Sequence, residues 1–337
     1  MLNGFFDIEF RLEQLDKCGD PLTKLNEVIQ WESFRSELET VRAKDRRNNA
    51  GRKAFDVVLM FKILILQSLY NLGDDALEYQ IRDRLSFMRF LGLALDSRIP
   101  DAKTIWLFRE QLGELGLEKK LFEKFDQFLR DSGFTAKKGQ IIDASIIAAP
   151  KQRNSRDENE QIKEGNIPDD WSENKKRQKD TDAKWVKKNG KNYYGYKNHI
   201  EIDAANKFIR KYDVTDASVH DSQVFAELLD KNNSSRDVYA DSAYRSKARI
   251  AELEKLGHRA HLQYKGCKNS KLTDWKKRGN KTRAKVRARI EHIFGVQSQM
   301  AGSLIIRTIG FVRAKVKIGL RNIAYNMHRF GTLTATA

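Results

Sequence analysis

The first 135 residues place apolar side chains three and four positions apart, and Gly, Pro or Asp separates the segments. This pattern is typical of short amphipathic helices. We predict a short helix from Leu22 onward, followed by longer helices over Asp56–Tyr70, Asp74–Leu91, Asp101–Leu112 and Glu118–Ser132. Such a set fits a helix-turn-helix reader of DNA or a helical scaffold that mediates dimerisation, and the pattern favours neither.

The hydrophobic period changes at Gly139, where GQIIDASIIAAP is short, β-branched and bounded by Gly and Pro. This composition predicts a buried strand. Residues 150–192 then lose almost all aliphatic side chains, so we predict an inserted loop that is weakly ordered or ordered only on binding.

Regular patterns return at Tyr193 and mix hairpins with crossover connections. Strands are predicted over Lys197–Asp203, Lys207–Thr215, Arg236–Ala240 and His258–Gln263, and helices over Ser222–Asp230, Ser246–Leu256, Lys281–Gln299 and Phe311–Phe330. Because hairpins join antiparallel strands and crossovers join parallel ones, we predict an α/β fold with a mixed sheet.

Charge is distributed unevenly along the chain of 337 residues. The formal net charge is +17, whereas residues 1–140 sum to zero and residues 271–337 hold 15 Lys and Arg against two acids. A cationic segment after a neutral half indicates a polyanionic partner, most simply nucleic acid. A solvated surface is the alternative reading of the same charge.

The two cysteines, Cys18 and Cys267, are far apart in sequence and suit a reducing cytosol. The N-terminus lacks the pattern of a secretion signal. The most apolar run, Val57–Leu66, is about half the length that spans a bilayer. We therefore expect a soluble protein with a buried helix there and no membrane partner.

Three acids lie where regular structure could hold them rigidly. Asp143 is inside the apolar run IIDASII, Asp241 directly follows the strand ending in VYA, and Glu291 is the one acid after Asp274. A buried acid needs a partner, and open α/β sheets place their sites at the carboxyl ends of strands. Three such carboxylates could together hold two divalent metals for phosphodiester chemistry. Each acid alone could be structural, and Arg287 could pair with Glu291 on the helix surface.

Two histidines and a cysteine near the end of the chain's last predicted strand raise the question of a zinc site. His258, His261 and Cys267 are close in sequence, but a fourth ligand and the usual spacing are missing, so we do not predict zinc binding.

These segments resemble the DDE transposases of bacterial insertion sequences, specifically the insertion-sequence-five family. The likeness extends from about residue 20 to 330. IIDASIIAAP is similar to the motif of the first catalytic Asp, YGYKNHIEID to a hairpin motif, VYADSAYRS to the motif of the second Asp, and RARIEHIFG to the block around the catalytic Glu. The order of these motifs is specific, although no single one is.

The resemblance implies an RNase H-like catalytic domain with Asp143 on the first strand, Asp241 on the fourth and Glu291 on a following helix. It implies an all-α DNA-binding or dimerisation domain over 1–135, a catalytic domain over 136–300 with the insertion at 150–192, and a basic helical segment over 301–337. Asp143, Asp241 and Glu291 would be both the catalytic residues and the ligands of two Mg²⁺ ions, for which Mn²⁺ could substitute.

The resemblance also implies the reaction and its partners. The enzyme would cut double-stranded DNA at the terminal inverted repeats of its element and join the 3′-OH ends to target DNA. A homodimer would hold two ends, and the protein would act in the bacterial cytoplasm at the nucleoid. The basic residues expected to contact DNA are Lys197, His199, Arg245, Arg283, Lys285, Arg287, Arg289, Arg307 and Arg313.

Two positions depart from the superfamily pattern around the Glu. Ala284 stands at the position of a Tyr, and Ser298 stands at the position of a Lys that would contact DNA. A nearby base such as Arg307 or Arg313 could take that role. A nuclease without strand transfer and an inactive transposase that only binds DNA therefore stay as alternatives.

Overall fold

The structure is a computed structural model that describes residues 6–42, 53–188, 190–266, 271–300 and 305–334. The contacts divide the chain into two compact units. The first consists of the described residues of Met1–Phe125 and Gly319–Ala337, and the second of those of Asp126–Ile318.

The first unit is helical, as the pattern predicts. Its helices are α1 (Asp7–Lys17), α2 (Pro21–Val28), α3 (Arg35–Glu39), α4 (Val57–Tyr70), α5 (Asp74–Asp83), α6 (Leu85–Leu91), α7 (Ala102–Glu114) and the start of α8 (Leu117–Asp131). Asp101 caps α7 by accepting a hydrogen bond from the N–H of Thr104 at 2.7 Å. The apolar run at Val57–Leu66 forms most of α4 and is almost entirely buried.

One helix prediction in this unit is wrong. The segment Asp74–Leu91 forms two helices, because Arg84 adopts an extended backbone with φ −103° and ψ 113°. Its guanidinium lies over the ring of Phe87 at 4.3 Å, a cation–π contact at the break.

No single helix in the described ranges is long and apolar enough to cross a membrane. The pair α4 and α5 passes that test together by length and composition, but the two helices are bent by 103° at their junction.

The second unit is built on a six-stranded mixed sheet. Its strands are β1 (Gln140–Ala148), β2 (Lys184–Lys188), β3 (Lys191–Asp203), β4 (Ile209–Asp216), β5 (Asp237–Ala240) and β6 (Arg259–Leu262). The order is β2-β3-β1-β5-β6, and β4 continues beside β3 past the end of β2. Strand β3 is antiparallel to its neighbours, whereas β1, β5 and β6 are parallel.

Helices flank this sheet: α11 (Asp221–Leu228), α12 (Lys247–Lys255) and α13 (Asp274–Met300), followed by α14 (Phe311–Thr334), which begins in this unit and ends in the first. One core of the unit joins Ile142 of β1 to Val224 and Phe225 of α11. A helical region followed by a mixed, RNase H-like sheet with flanking helices confirms the predicted fold class.

The insertion contains more regular structure than its composition predicts. Helices α9 (Arg156–Lys163) and α10 (Glu173–Gln178) and strand β2 lie within it. Trp171 is 3% exposed, and its Nε1 donates to Glu158 at 2.8 Å. Lys175 binds the same carboxylate at 2.5 Å. A single buried indole with its polar partners therefore orders a segment that is poor in aliphatic residues.

The hairpin strand β3 begins at Lys191, six residues before the predicted start, because β2 pairs with its first half. Gly195 lies where β1, β2 and β3 meet, and a Cβ there would collide with the carbonyl oxygen of Ile147. Glycine is therefore required at this close approach of two strands.

Candidate active site

Asp143 lies in the middle of β1, where the pairing with β3 sets it opposite Ile200. Its side chain points to the face that α13 covers and is 14% exposed. One oxygen, Oδ1, accepts the N–H of Ala144 at 2.8 Å, and the other, Oδ2, is 2.6 Å from Nη2 of Arg287. Both oxygens therefore have partners from this chain.

Asp241 directly follows β5, the neighbour of β1. In the parallel pairing of β1 with β5, Ile141 lies beside Tyr239. The same register extended by two residues places Asp241 beside Asp143. The Asp241 Oδ1 accepts the N–H of Ala243 at 2.8 Å, which fixes the carboxylate at the start of a short 3₁₀ helix. Two acids that are 98 positions apart thus meet at one edge of the sheet.

The groups around Asp143 shift the pKa of its carboxyl in opposite directions. Burial raises the pKa of its carboxyl above the ordinary value, the Arg287 guanidinium opposes that rise, and the negative charge of Asp241 adds to it. A cation placed between the two carboxylates would remove the repulsion.

Arg287 connects α13 to the sheet. It is buried, its Nη1 donates to Gln263 at 2.7 Å, and its Nη2 binds Asp143. Ile290 and Ile293, on neighbouring positions of the helix surface, are fully buried and hold the helix in place. The predicted cation of this motif is therefore a partner of the first acid.

Glu291 lies one helical turn after Arg287 and is exposed. Within the described ranges, no group of three or more His, Cys, Asp or Glu side chains is arranged to hold a metal ion. The structure therefore brings Asp143 and Asp241 together and leaves Glu291 apart from them.

Lys197 and His199 lie inside the sheet. Lys197 is 7% exposed and pairs with Asp221 at 2.8 Å, and His199 is fully buried with Nε2 2.9 Å from the hydroxyl of Thr215. Burial lowers the pKa of His199 to about 4, and the Lys197 charge adds to this effect against that of Asp221. Both side chains are buried against internal partners, so neither is exposed for contact with DNA.

The other predicted DNA contacts divide into two groups. Arg245 and Arg289 donate to the carbonyl oxygens of Leu262 and Ala204, respectively, at 2.7 and 2.8 Å, and Arg283 is half-buried. Lys285, Arg307 and Arg313 are exposed.

Tyr244 is a neighbour of the acids that the sequence analysis did not single out. It is 1% exposed, and among the described residues its hydroxyl has no hydrogen-bond partner. Burial raises the pKa of this phenol well above its ordinary value, and the charges of Asp143, Asp221 and Asp241 add to the rise. Its position three residues after Asp241, within the motif VYADSAYRS, was the available signal.

The fold and the paired acids define a protein with a helical unit and an α/β unit that carries a two-carboxylate site at a sheet edge. Two known families match separate parts of this chain. The family described as Transposase DDE domain matches residues 134–327, and the one described as Transposase domain (DUF772) matches residues 10–111. Because the first match covers more than half of the chain, the protein belongs to the transposase DDE domain family.

A solved structure with a similar chain is the piggyBac transposase synaptic complex with hairpin DNA, determined by cryo-EM. The two chains are 11% identical, with a TM-score of 0.44, over 93% of this chain and 76% of that one.

Proposed function

We propose that the protein is a DNA transposase of insertion-sequence type that cuts double-stranded DNA at the terminal inverted repeats of its element and joins the 3′-OH ends to target DNA. One observation carries this proposal: the register of β1 and β5 brings Asp143 beside Asp241 at the end of the sheet. Membership of the transposase DDE domain family supports it.

The donor set fits a hard divalent cation such as Mg²⁺, with Mn²⁺ as a substitute. Mg²⁺ in proteins is held by one or two carboxylates together with water and substrate phosphates. Asp143 and Asp241 would hold it, and their mutual repulsion is the observation that favours a cation there. When bound, two such ions would activate the attacking oxygen and stabilise the leaving one. Glu291 would become a third ligand only after its side chain turned toward the acids.

The chain's own residues hold and orient the reacting strand in this proposal. The hydrogen bonds from Ala144 and Ala243 fix one oxygen of each Asp, and Arg287 occupies the second oxygen of Asp143 until a ligand takes its place. Arg287 would leave Asp143 when a cation binds and could then donate to a DNA phosphate within its reach. The exposed basic residues Lys285, Arg307 and Arg313 would bind phosphates of the DNA backbone on either side of that phosphate.

A DNA-binding protein without catalysis is the second candidate. Two observations favour it. Glu291 is exposed, so no third carboxylate joins Asp143 and Asp241 among the described residues, and Arg287 occupies Asp143. Ser298 in place of the expected Lys points in the same direction.

Nicking of a duplex that carries the element's own ends tests these candidates. We expect Mg²⁺ or Mn²⁺ to support nicking and Asp143→Asn to abolish it. Asp237→Asn is the matched control: this acid is the first residue of β5, at the opposite end of that strand from Asp241, and it binds His261 at 2.8 Å. This variant should still nick the DNA.

Cleavage without a metal, or full activity of Asp143→Asn, would contradict the proposal. DNA binding without nicking by the unaltered protein would support the second candidate. A pre-cut end that is never joined to target DNA would leave a nuclease instead of a transposase.

A further inference from the structure

Three cations surround the ring of Tyr264, two residues past the end of β6. The guanidinium of Arg245 is 4.0 Å from the ring centroid, that of Arg283 is 4.9 Å away, and Nζ of Lys276 is 5.6 Å away. They come from two elements: Arg245 from the turn after β5, and Lys276 and Arg283 from the first half of α13. We call Arg245, Tyr264, Trp275, Lys276 and Arg283 the aromatic–cation cluster.

The positive charge of this cluster is not neutralised. Arg245 donates to the carbonyl oxygen of Leu262, and the buried Nε and Nη1 of Arg283 have no hydrogen-bond partner in the described ranges. The acid closest in sequence, Asp274, pairs with Lys277. In the parts of the chain that the structure describes, none of the three cations has an ion-pair partner. Cations this close repel one another, so the cluster favours an anionic ligand.

Contacts within the chain hold Tyr264 and accommodate Arg283 before any ligand arrives. Asn280 accepts the N–H of Tyr264 at 2.8 Å and donates to its carbonyl oxygen at 3.0 Å, which fixes the tyrosine on α13. Gly279 leaves the space that the Arg283 guanidinium occupies, because a Cβ there would lie 2.8 Å from Nη1. A preformed site loses little conformational entropy on binding.

Trp275 adds an exposed aromatic face. Its side chain is 64% exposed, and its ring centroid is 5.8 Å from that of Tyr264. An exposed indole next to uncompensated cations is the combination that binds single-stranded nucleic acid, in which bases stack on aromatic rings and cations bind the backbone.

The cluster adjoins the two acids. Gln263, the residue before Tyr264, accepts a hydrogen bond from Arg287, and Arg287 binds Asp143. Arg245 lies four residues after Asp241. A nucleotide held at the cluster would therefore lie near a DNA strand bound at Asp143 and Asp241.

We propose that the aromatic–cation cluster binds an unpaired nucleotide of the DNA end, with its base stacked on Trp275 and its phosphate held by Arg283 and Lys276. This inference rests on the proposed function, because it takes DNA as the substrate. It adds a site for an unpaired nucleobase. The reaction proposed at Asp143 and Asp241, with exposed Lys and Arg side chains on the phosphates, does not by itself call for such a site.

Binding of full-length protein to two DNA probes tests the site without cleavage. Each probe is a labelled duplex with a single-stranded overhang. The overhang consists of thymidines in one probe and of abasic sites in the other. Binding is measured by fluorescence anisotropy without divalent metal. We expect the thymidine overhang to bind about fivefold to a hundredfold more tightly, the range for one stacked base. Trp275→Ala should remove this preference, and Trp275→Phe should keep part of it.

Two further variants separate the base from the phosphate. Arg283→Gln should weaken both probes equally, because it removes only a phosphate contact, and should lower the salt dependence by about 0.7. Trp185→Ala is the matched control, since Trp185 is 42% exposed and lies on β2 near Lys151; it should keep the preference.

Equal affinity of the unaltered protein for the two probes would overturn the inference. Retention of the preference by Trp275→Ala, or its loss in Trp185→Ala, would also overturn it. Because the assay needs no cleavage, a preference for bases in a protein that never nicks DNA would support the cluster while contradicting the proposed function.

Discussion

Asp143 and Glu201 are two buried acids of the same sheet with different surroundings. Asp143 has a hydrogen bond and an ion pair, whereas both carboxylate oxygens of Glu201 are buried and find no hydrogen-bond partner in the part of the chain that the structure describes. Burial raises the pKa of Glu201 well above its ordinary value, and the charges of Asp230 and Asp203 add to the rise. Glu201 therefore favours its neutral form in the folded protein, and its ionisation opposes folding.

We expect Glu201→Gln to stabilise the protein as pH rises. A carboxyl whose pKa is raised by folding contributes stability below its ordinary pKa and loses it as pH rises toward the raised value. The free energy of unfolding of the variant relative to the unaltered protein should grow by about 1.4 kcal/mol per pH unit in that window. Urea unfolding at pH 5 and pH 7 measures the change.

Glu227→Gln is the control for this substitution, because Glu227 is exposed on α11. Its free energy of unfolding should differ little from that of the unaltered protein at either pH. A pH-independent effect of Glu201→Gln would show that this carboxyl is ionised in the folded state.

We expect Arg287→Gln to destabilise the protein at neutral pH by about 3 kcal/mol, because it leaves the charge of Asp143 without its ion-pair partner. The raised pKa of Asp143 should rise further without this guanidinium, so the loss should shrink in acid, where the carboxyl is neutral. Urea unfolding at two pH values measures both. Arg259→Gln is the control, since Arg259 is 68% exposed where it pairs with Asp237; an equal loss there would contradict this account.

Helix α13 has two surfaces with separate roles. Arg287, Ile290 and Ile293 face the sheet and are buried, whereas Lys281 and Lys285 are exposed. The cationic run of the sequence is therefore not one DNA surface. Part of its charge holds the acids, and part of it is available to phosphates.

We expect the double variant Lys281→Gln and Lys285→Gln to lower the slope of log affinity against log salt by about 1.8 for duplex DNA, because each phosphate contact releases about one counterion. Anisotropy titrations over a range of salt measure the slope. The same change at Lys247 and Lys255, exposed on α12, is the control and should leave the slope unchanged. Equal slopes in both variants would assign the exposed charge of α13 to solubility.

At the scale of the whole molecule, charge is concentrated in the half that carries the paired acids. Residues 1–140 sum to zero, and the excess of Lys and Arg lies after them. A transposase has two element ends to join, so we propose a homodimer that holds both.

We therefore expect complexes of two protein chains with two end-bearing duplexes, measured by light scattering or sedimentation. Duplexes without the terminal repeats are the control and should not form this complex. One chain on one duplex at every concentration would contradict the proposal of a dimer.

The amino-acid pattern alone predicted most of the elements and the order of the motifs, although it joined α5 to α6 and missed α9, α10 and β2. Local periodicity, caps and β-branched runs are properties of neighbouring residues, which is why the helical first unit, β1 and the cap at Asp101 could be predicted. Asp143 and Asp241 could be chosen for the same reason, since each follows or interrupts an apolar strand.

Contacts between distant residues were decided only by the tertiary structure. The sequence assigned Lys197 and His199 to a DNA surface, but strand pairing and α11 bury both. It grouped Glu291 with the two Asp residues, whereas the rotation of α13 turns Arg287 inward and leaves Glu291 exposed. Strand register and helix rotation depend on packing against the whole core, and no local window contains that information.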